Sequence, residues 1–271
     1  MAYGDARIDM RIDGSGAHAV VLLAGFPLAR EIWDAVAQPL AATHRVLRPD
    51  LRGMGASSVV DGPYLMELLA SDVATVLDAV GVESAAIVGH SAGGYVALAF
   101  ARMYAERVDR LALVCSRLVA DSPDLARSRK DLASTVERDS RIDAVVEAYV
   151  PRLLSQTTLQ RHPEIAQRVR AIAERADPRG AAALLRGIAM RSGSEDIAPE
   201  LTMPVLVIAG GEDAIVPLDE ERAVAAAFPN ATLVIAERSG HLPMLEEPDV
   251  TTSALADWLK GRITPASCSG S

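Results

Sequence analysis

The stretch Ala85-Ala86-Ile87-Val88-Gly89-His90-Ser91-Ala92-Gly93-Gly94 decides the fold of this chain. Four apolar residues run into the pattern Gly-x-Ser-x-Gly, and residues 95–101 follow with helical periodicity. This order predicts a buried strand that turns sharply into a helix at Ser91, with Gly89 and Gly93 leaving room for the crossing backbones. The Ser91 hydroxyl is then expected to project beyond the sheet at a helix N-terminus, where developing negative charge is favoured.

Outward from this turn, short apolar runs alternate with longer amphipathic stretches. The runs that predict buried strands lie at residues 20–24, 45–48, 85–88, 111–115, 205–209 and 232–236. The stretches that predict helices lie at residues 31–42, 64–80, 92–104, 219–228 and 249–260. Residues 7–12 alternate polar and apolar side chains, which indicates an edge strand. The whole pattern predicts an α/β fold with a mostly parallel twisted sheet flanked by helices.

Residues 117–196 break this alternation. They contain several helical patterns in a row and carry fourteen Lys and Arg against twelve Asp and Glu. We expect a helical cap here, inserted between two strands, with residues 1–116 and 197–263 forming the α/β core. The slight excess of positive charge in this segment would suit a substrate with a carboxylate. The simpler interpretation is that these charged side chains lie on solvent-exposed helix faces. Residues 264–271 lack apolar periodicity and are predicted to be disordered.

Composition narrows the classes of function. The chain has 271 residues, of which 50% are hydrophobic and 23% charged, as is typical of a large globular domain. The net charge of −9 argues against nucleic-acid binding, because phosphates need clustered positive charge. No apolar run approaches the ~18 residues of a membrane span, and the first residues lack an apolar leader segment. We therefore expect a cytoplasmic protein that binds neither nucleic acid nor membrane.

The cysteines do not indicate a disulfide framework or a metal site. The chain has two of them, Cys115 in an apolar run and Cys268 near the C-terminus, and it has no Cys-x-x-Cys motif or Cys/His cluster. We predict no cofactor and no metal.

A serine hydroxyl needs a base to act as a nucleophile, and the base needs an acid to orient it. His241 follows the last predicted strand, at the sheet edge where Ser91 should emerge, whereas His162 lies inside the predicted cap. Asp213 follows the preceding strand, and the apolar residues after it should hold it inward, while Glu212 should face solvent. We predict a catalytic triad of Ser91, Asp213 and His241, in the chain order that the Gly-x-Ser-x-Gly architecture uses.

Acyl transfer also needs two hydrogen-bond donors for the oxyanion. The backbone N–H of Ala92, directly after Ser91, is the first candidate. The loop after the strand at residues 20–24 continues with Gly25, Phe26 and Pro27. Gly25 permits a tight turn and Pro27 has no N–H, so we predict the N–H of Phe26 as the second donor.

Together these residues resemble the α/β-hydrolase superfamily with a helical cap. The resemblance includes Asp50-Leu51-Arg52-Gly53-Met54-Gly55-Ala56-Ser57, which is similar to the family's D-x-R-G-x-G-x-S loop. It also includes the acid turn at residues 210–213 and the histidine turn at residues 239–241. The chain is most similar to small bacterial carboxylesterases and enzymes like 3-oxoadipate enol-lactonase. The resemblance implies cofactor-free hydrolysis through an acyl-serine intermediate.

The chain departs from the family pattern in two places. Relatives commonly carry His-Gly ahead of the oxyanion residue, whereas this chain has Ala24-Gly25 and so lacks a side chain that often braces the loop. The N-terminal region is short for the usual opening pair of antiparallel strands. His90, next to the predicted nucleophile, is expected to be a packing residue with no catalytic role.

These features favour a serine hydrolase that cleaves carboxylic esters of small, mostly aliphatic substrates. With aromatics at 4% of the chain, we expect aliphatic side chains in the pocket, with Val216, Leu242 and Arg117 nearby. A lactonase, a carbon–carbon bond hydrolase or a perhydrolase would use the same triad. A non-enzymatic ligand receptor on this scaffold is the alternative of a different class, and both a monomer and a homodimer remain open.

Overall fold

A seven-stranded sheet forms the centre of the protein. The structure is a computed structural model that describes residues 6–262, so the predicted tail at 264–271 lies outside the described residues. The strands are β1 (Met10–Asp13), β2 (Ala19–Leu23), β3 (Arg45–Pro49), β4 (Ala85–His90), β5 (Val108–Val114), β6 (Val205–Gly210) and β7 (Ala231–Ala236). Their order is β1-β3-β2-β4-β5-β6-β7, and every neighbouring pair is parallel except β1 with β3. The predicted fold class is confirmed.

Eleven α-helices surround this sheet within the described residues. They are α1 (Asp34–Leu40), α2 (Met66–Ala79), α3 (Ala92–Met103), α4 (Pro123–Asp139), α5 (Asp143–Tyr149), α6 (Gln156–Arg161), α7 (Pro163–Glu174), α8 (Pro178–Met190), α9 (Leu218–Ala226), α10 (Pro243–Glu246) and α11 (Pro248–Leu259). In this part of the chain, no helix is both long enough and apolar enough to cross a bilayer.

The central strands contribute side chains to two separate cores, because successive residues of a strand point to opposite faces. In β2, Val21 and Leu23 pack with α2 and α3 on one face. Val20 and Leu22 pack with α1 and α11 on the other. Burying one such side chain fully contributes about 1.5–3 kcal/mol. Burial on both faces explains why the central strands are continuous apolar runs rather than alternating ones.

The edge strand β1 begins three residues later and ends one residue later than the sequence pattern suggested. It pairs antiparallel with β3, with Met10 opposite Pro49 and Asp13 opposite Val46. The buried Arg48 fixes this edge, since its guanidinium contacts Asp13 and Asp34 at 2.5 and 2.6 Å. The Arg48–Asp13 ion pair ties β1 to β3, and the polar–apolar alternation on which the prediction rested does not encode this contact.

The D-x-R-G-x-G-x-S loop is held by its own first and last residues. The Asp50 carboxylate accepts hydrogen bonds from the N–H groups of Ala56 and Arg30, at 3.0 and 2.9 Å. The Ser57 hydroxyl donates to the Asp50 carbonyl at 2.7 Å. Both side chains are buried, so the motif closes a loop instead of contributing a reactive group.

Helices α4–α8 all lie between β5 and β6, within the stretch predicted to be a cap. The N-terminus of α4 is capped by Ser122, whose hydroxyl accepts from the N–H of Leu125 at 3.2 Å. Helices α4 and α8 pack along each other, and Glu137 pairs with Arg186 across this contact. The division of the chain into a core and a cap at residues 117 and 196 stays a prediction.

Candidate active site

Ser91 is the single residue between β4 and α3. Its φ of 51° and ψ of −118° lie in a backbone region that costs a non-glycine residue about 1–3 kcal/mol. Its neighbours hold it there: the Ser91 N–H donates to the Val114 carbonyl at 2.9 Å, and the Ser91 carbonyl accepts from the Ser116 hydroxyl at 2.9 Å. The end of β5 therefore fixes the turn from both sides.

The two glycines of the motif are required by close backbone contacts. A Cβ at Gly89 would lie 2.3 Å from the carbonyl oxygen of Gly93. A Cβ at Gly93 would lie 2.6 Å from the carbonyl oxygen of Leu23. Neither neighbour is a flexible side chain that can move aside, so the turn at Ser91 needs glycine at both positions.

Asp213 and His241 meet beyond the ends of β6 and β7. The Asp213 Oδ2 lies 2.7 Å from the His241 Nδ1, and both side chains are buried. The other oxygen, Oδ1, accepts from the N–H groups of Ile215 and Val216 at 2.7 and 3.1 Å. Burial opposes ionisation of Asp213, but His241 and these two N–H groups outweigh it and lower its pKa. An ionised carboxylate only accepts, so Nδ1 carries the hydrogen and Nε2 keeps a free lone pair.

Ser91 lines the same cavity as His241. Its hydroxyl has no hydrogen-bond partner among residues 6–262, so the structure joins His241 to Asp213 but not to Ser91. Hydrogen bonds of this kind are often long without substrate and tighten when it binds. His162, the other histidine considered, is exposed and contacts Glu164 at 3.1 Å instead.

The two predicted oxyanion donors face the same cavity. Phe26 and Ala92 both line it beside Ser91. Their backbone N–H groups donate to no acceptor in the described part of the chain. The turn that presents Phe26 is closed by a hydrogen bond from the Leu28 N–H to the Gly25 carbonyl at 2.8 Å.

His90 has a hydrogen-bonding position that the sequence did not indicate. Its Nδ1 lies 3.2 Å from the Gly25 nitrogen, and its Nε2 lies 2.8 Å from the His241 carbonyl oxygen. A backbone N–H can only donate and a carbonyl can only accept, so Nδ1 accepts and Nε2–H donates. The neutral ring of His90 thus links the loop of Phe26 to the loop of His241. Burial and the neighbouring His241 lower the pKa of His90 to about 3, which keeps the ring uncharged.

The cavity has a volume of about 230 Å³. It is lined by Phe26, Ser91, Ala92, Tyr95, Arg117, Leu125, Ser128, Arg129, Leu132, Ala148, Tyr149, Arg152, Leu153, Ile188, Ile215 and His241. Arg117 is in this lining as expected. Val216 and Leu242 are not; both are buried in the packed structure behind it.

The cavity is less aliphatic than the composition suggested. Three aromatic residues and three arginines share the lining with the aliphatic side chains. The expectation of a mainly aliphatic pocket is wrong in this respect. A chain-wide average does not tell where the few aromatic residues are, and three of them lie here.

Next to His241 lies a buried cluster that no pattern in the sequence indicates. The Cys115 Sγ, a carboxylate oxygen of Asp213 and a ring nitrogen of His241 lie within 4.8 Å of one another. Burial and the charge of Asp213 raise the pKa of the Cys115 thiol, whereas metal binding needs the thiolate. Glu221 is also fully buried nearby, and burial together with Asp213 raises its pKa well above the usual range.

Comparison with known proteins places this chain in a family. Residues 20–254 match the alpha/beta hydrolase family. The provisionally named carbamate hydrolase RutD of Caulobacter sp. (strain K31) is 30% identical over 253 residues, which are 91% of this chain and 92% of that protein. The chain therefore belongs to the alpha/beta hydrolase family, and the predicted resemblance is confirmed.

Two solved structures are similar over nearly the whole chain. A thermophilic esterase from Thermogutta terrifontis, solved with malate bound, is 36% identical, with a TM-score of 0.93 over 97% of this chain and 96% of that one. The enol-lactonase from Burkholderia xenovorans LB400 is 28% identical, with a TM-score of 0.88 over 96% of this chain and 99% of that one. These similarities support hydrolase activity.

Proposed function

We propose that the protein is a serine hydrolase that cleaves carboxylic esters of small substrates through an acyl-serine intermediate. One observation carries this proposal: Ser91 occupies a strained turn at a cavity that His241 also lines, and the His241 Nδ1 lies 2.7 Å from the Asp213 carboxylate. The similar esterase and enol-lactonase structures support the same class of reaction.

Each residue of the site has a role in this reaction. The Nε2 lone pair of His241 takes the Ser91 proton as the hydroxyl oxygen attacks the acyl carbon. Asp213 holds the ring in the tautomer that leaves Nε2 free and stabilises the imidazolium that forms. The N–H groups of Phe26 and Ala92 stabilise the tetrahedral oxyanion, which typically contributes ~10²–10³ in rate for each donor.

The second half of the reaction releases the acyl group. The His241 imidazolium donates its proton to the leaving alcohol, and the acyl group stays on Ser91. Water then attacks the acyl-enzyme with His241 again acting as the base, and the carboxylic acid leaves. Opening of a lactone follows the same steps, with the alcohol kept in the product, and the similarity to an enol-lactonase makes lactones the second substrate type to test.

The test uses Ser91→Ala and a covalent probe. We expect the wild-type protein to hydrolyse p-nitrophenyl butyrate over many turnovers and the variant to lose nearly all of that activity with little change in melting temperature. A fluorophosphonate should label the wild-type protein on the peptide that contains Ser91. Ser134→Ala, an exposed serine on α4, serves as the matched control. Full turnover by Ser91→Ala would refute the proposal, and a single stoichiometric burst without turnover would favour a receptor.

A further inference from the structure

The charged side chains that line the cavity all have the same sign. Among its sixteen lining residues, Arg117, Arg129 and Arg152 are charged and no carboxylate is present. This lining contrasts with the net charge of −9 of the whole chain. The positive charge is therefore local to the cavity, and the question is how much of it is neutralised by groups behind the lining.

Arg129 shares its counterion with a second arginine. Its Nε lies 2.6 Å from Asp121, and the same carboxylate lies 3.1 Å from Arg191. All three side chains are largely buried. Two guanidinium groups on one carboxylate leave this cluster with a net charge of one positive unit, in surroundings where charges are weakly screened.

The remaining two arginines differ from each other. Arg117 pairs with Glu220 at 3.1 Å, and this pair has no net charge. Arg152 is exposed at the rim, donates to the Ala214 carbonyl at 3.3 Å, and has no carboxylate partner within the residues that the structure describes. The Arg129 cluster and Arg152 thus contribute two positive charges to the cavity. The ionised Asp213 behind His241 offsets one of them, and the charges near the cavity still sum to one positive unit.

Arg129 is also held close to the reaction centre. Its Nη1 donates to the Tyr149 hydroxyl at 2.6 Å, and the Tyr149 ring meets the Phe26 ring edge-on, with centroids 5.1 Å apart. On α4, Leu125, Ser128 and Leu132 line the cavity on the same helix face as Arg129. The guanidinium is therefore fixed in the wall that faces the ester site.

We propose that the cavity binds substrates that carry a carboxylate in addition to the ester, with Arg129 and Arg152 as the residues that recognise it. The proposal rests on the proposed function for the position of the ester and adds the class of substrate. A planar guanidinium pairs with a carboxylate through two parallel hydrogen bonds. A bound carboxylate would also neutralise the positive charge that remains because Asp121 is the shared counterion of Arg129 and Arg191.

The kinetic test compares two esters with the same leaving group and the same chain length. We expect the kcat/KM for p-nitrophenyl hydrogen adipate to exceed that for p-nitrophenyl hexanoate by about tenfold or more, as one charge-assisted contact allows. Arg129→Gln and Arg152→Gln should each reduce this ratio by about tenfold, mainly through the KM of the adipate ester. Arg138→Gln removes the same charge from an exposed position on α4 outside the cavity and should leave the ratio unchanged.

A binding measurement separates this proposal from the proposed function. In Ser91→Ala, which has no nucleophile, adipate should bind in isothermal titration, and Arg152→Gln should weaken this binding by about tenfold. Arg152 is exposed, so this second variant is expected to fold even where the buried Arg129→Gln does not. Hydrolysis of both esters with no preference for the adipate ester would overturn the carboxylate site and leave the hydrolase intact. Adipate binding without hydrolysis of either ester would overturn the proposed hydrolase function and leave the carboxylate site intact.

Discussion

Replacing His90 with phenylalanine keeps an aromatic ring in the core but removes both hydrogen bonds of the histidine. The Gly25 N–H and the His241 carbonyl then lose their partners in a buried place. Each unsatisfied group costs about 1–3 kcal/mol, so we expect His90→Phe to lower the free energy of unfolding by about 2–6 kcal/mol. Such a loss lowers the melting temperature of a chain of this size by roughly 5–20 °C.

The same change should reduce catalysis, because the two groups that His90 connects belong to the loops of Phe26 and His241. The oxyanion donor acts mainly in the transition state, so a displaced Phe26 N–H should lower kcat more than it raises KM. Complete loss of one donor costs ~10²–10³ in rate, and this is the upper limit expected for His90→Phe. His90→Gln retains one acceptor and one donor and should restore part of both the stability and kcat.

Thermal unfolding and Michaelis kinetics with p-nitrophenyl butyrate measure the two effects separately. A pH series adds a third readout. The pKa of His90 is about 3, whereas the unfolded chain takes up this proton near the ordinary value of 6.5. Wild-type stability should therefore fall by about 2 kcal/mol from His90 alone between pH 7 and pH 5, and His90→Gln should lack this contribution. If His90→Phe is destabilised but keeps the wild-type kcat, His90 is only a packing residue and the reasoning is refuted.

Three further substitutions test other parts of the site. Asp213→Asn should lower kcat by ~10³–10⁴ because it favours the wrong His241 tautomer, while the exposed Glu212→Gln next to it should keep wild-type kinetics. Glu221→Gln should raise the melting temperature at pH 8 but not at pH 4.5. Because the pKa of Glu221 is raised in the folded state, the wild-type protein loses stability as the pH rises above the ordinary carboxyl range. Glutamine has no proton to lose, so the variant avoids this loss. Gly93→Ala should abolish activity and lower the melting temperature, because the added Cβ would meet a backbone carbonyl. Gly81→Ala is the control: its added Cβ would have no atom within 4 Å, so it should show only the smaller cost of a positive φ.

The sequence predicts the strands and the positions of the polar residues at their ends well, and the reason is local. A central parallel strand is buried on both faces, so it is a continuous apolar run, and the residues after it must lie at one edge of the sheet. Ser91 and Asp213 each follow such a run, and His241 follows the apolar but only partly buried edge strand β7. The direction of the parallel strands alone therefore predicts that these three residues lie near one another, and no side-chain contact has to be known for this prediction.

The cavity walls and the position of His90 could not be predicted in this way. His90 contacts partners 65 and 151 residues away in the chain, and neither contact leaves a pattern in the neighbouring sequence. Arg129 looks like one of many arginines on an amphipathic helix, and whether it faces solvent or the cavity depends on how α4 packs on α8. The interpretation of the positive excess as a solvated face failed for this residue because helix packing decides it.

The two buried acids near His241 explain why position alone does not identify the catalytic carboxylate. Both lie in the same packed region, and burial disfavours the charged form of each. Asp213 is compensated by His241 and by two backbone N–H groups. The Ser116 backbone and Arg117 favour the charged form of Glu221 too, but burial outweighs them. The charge of Asp213 then makes ionisation of Glu221 still less favourable. The surroundings therefore lower the pKa of Asp213, which orients the base, and raise the pKa of Glu221. The groups around each carboxylate decide which of the two acids serves the imidazole.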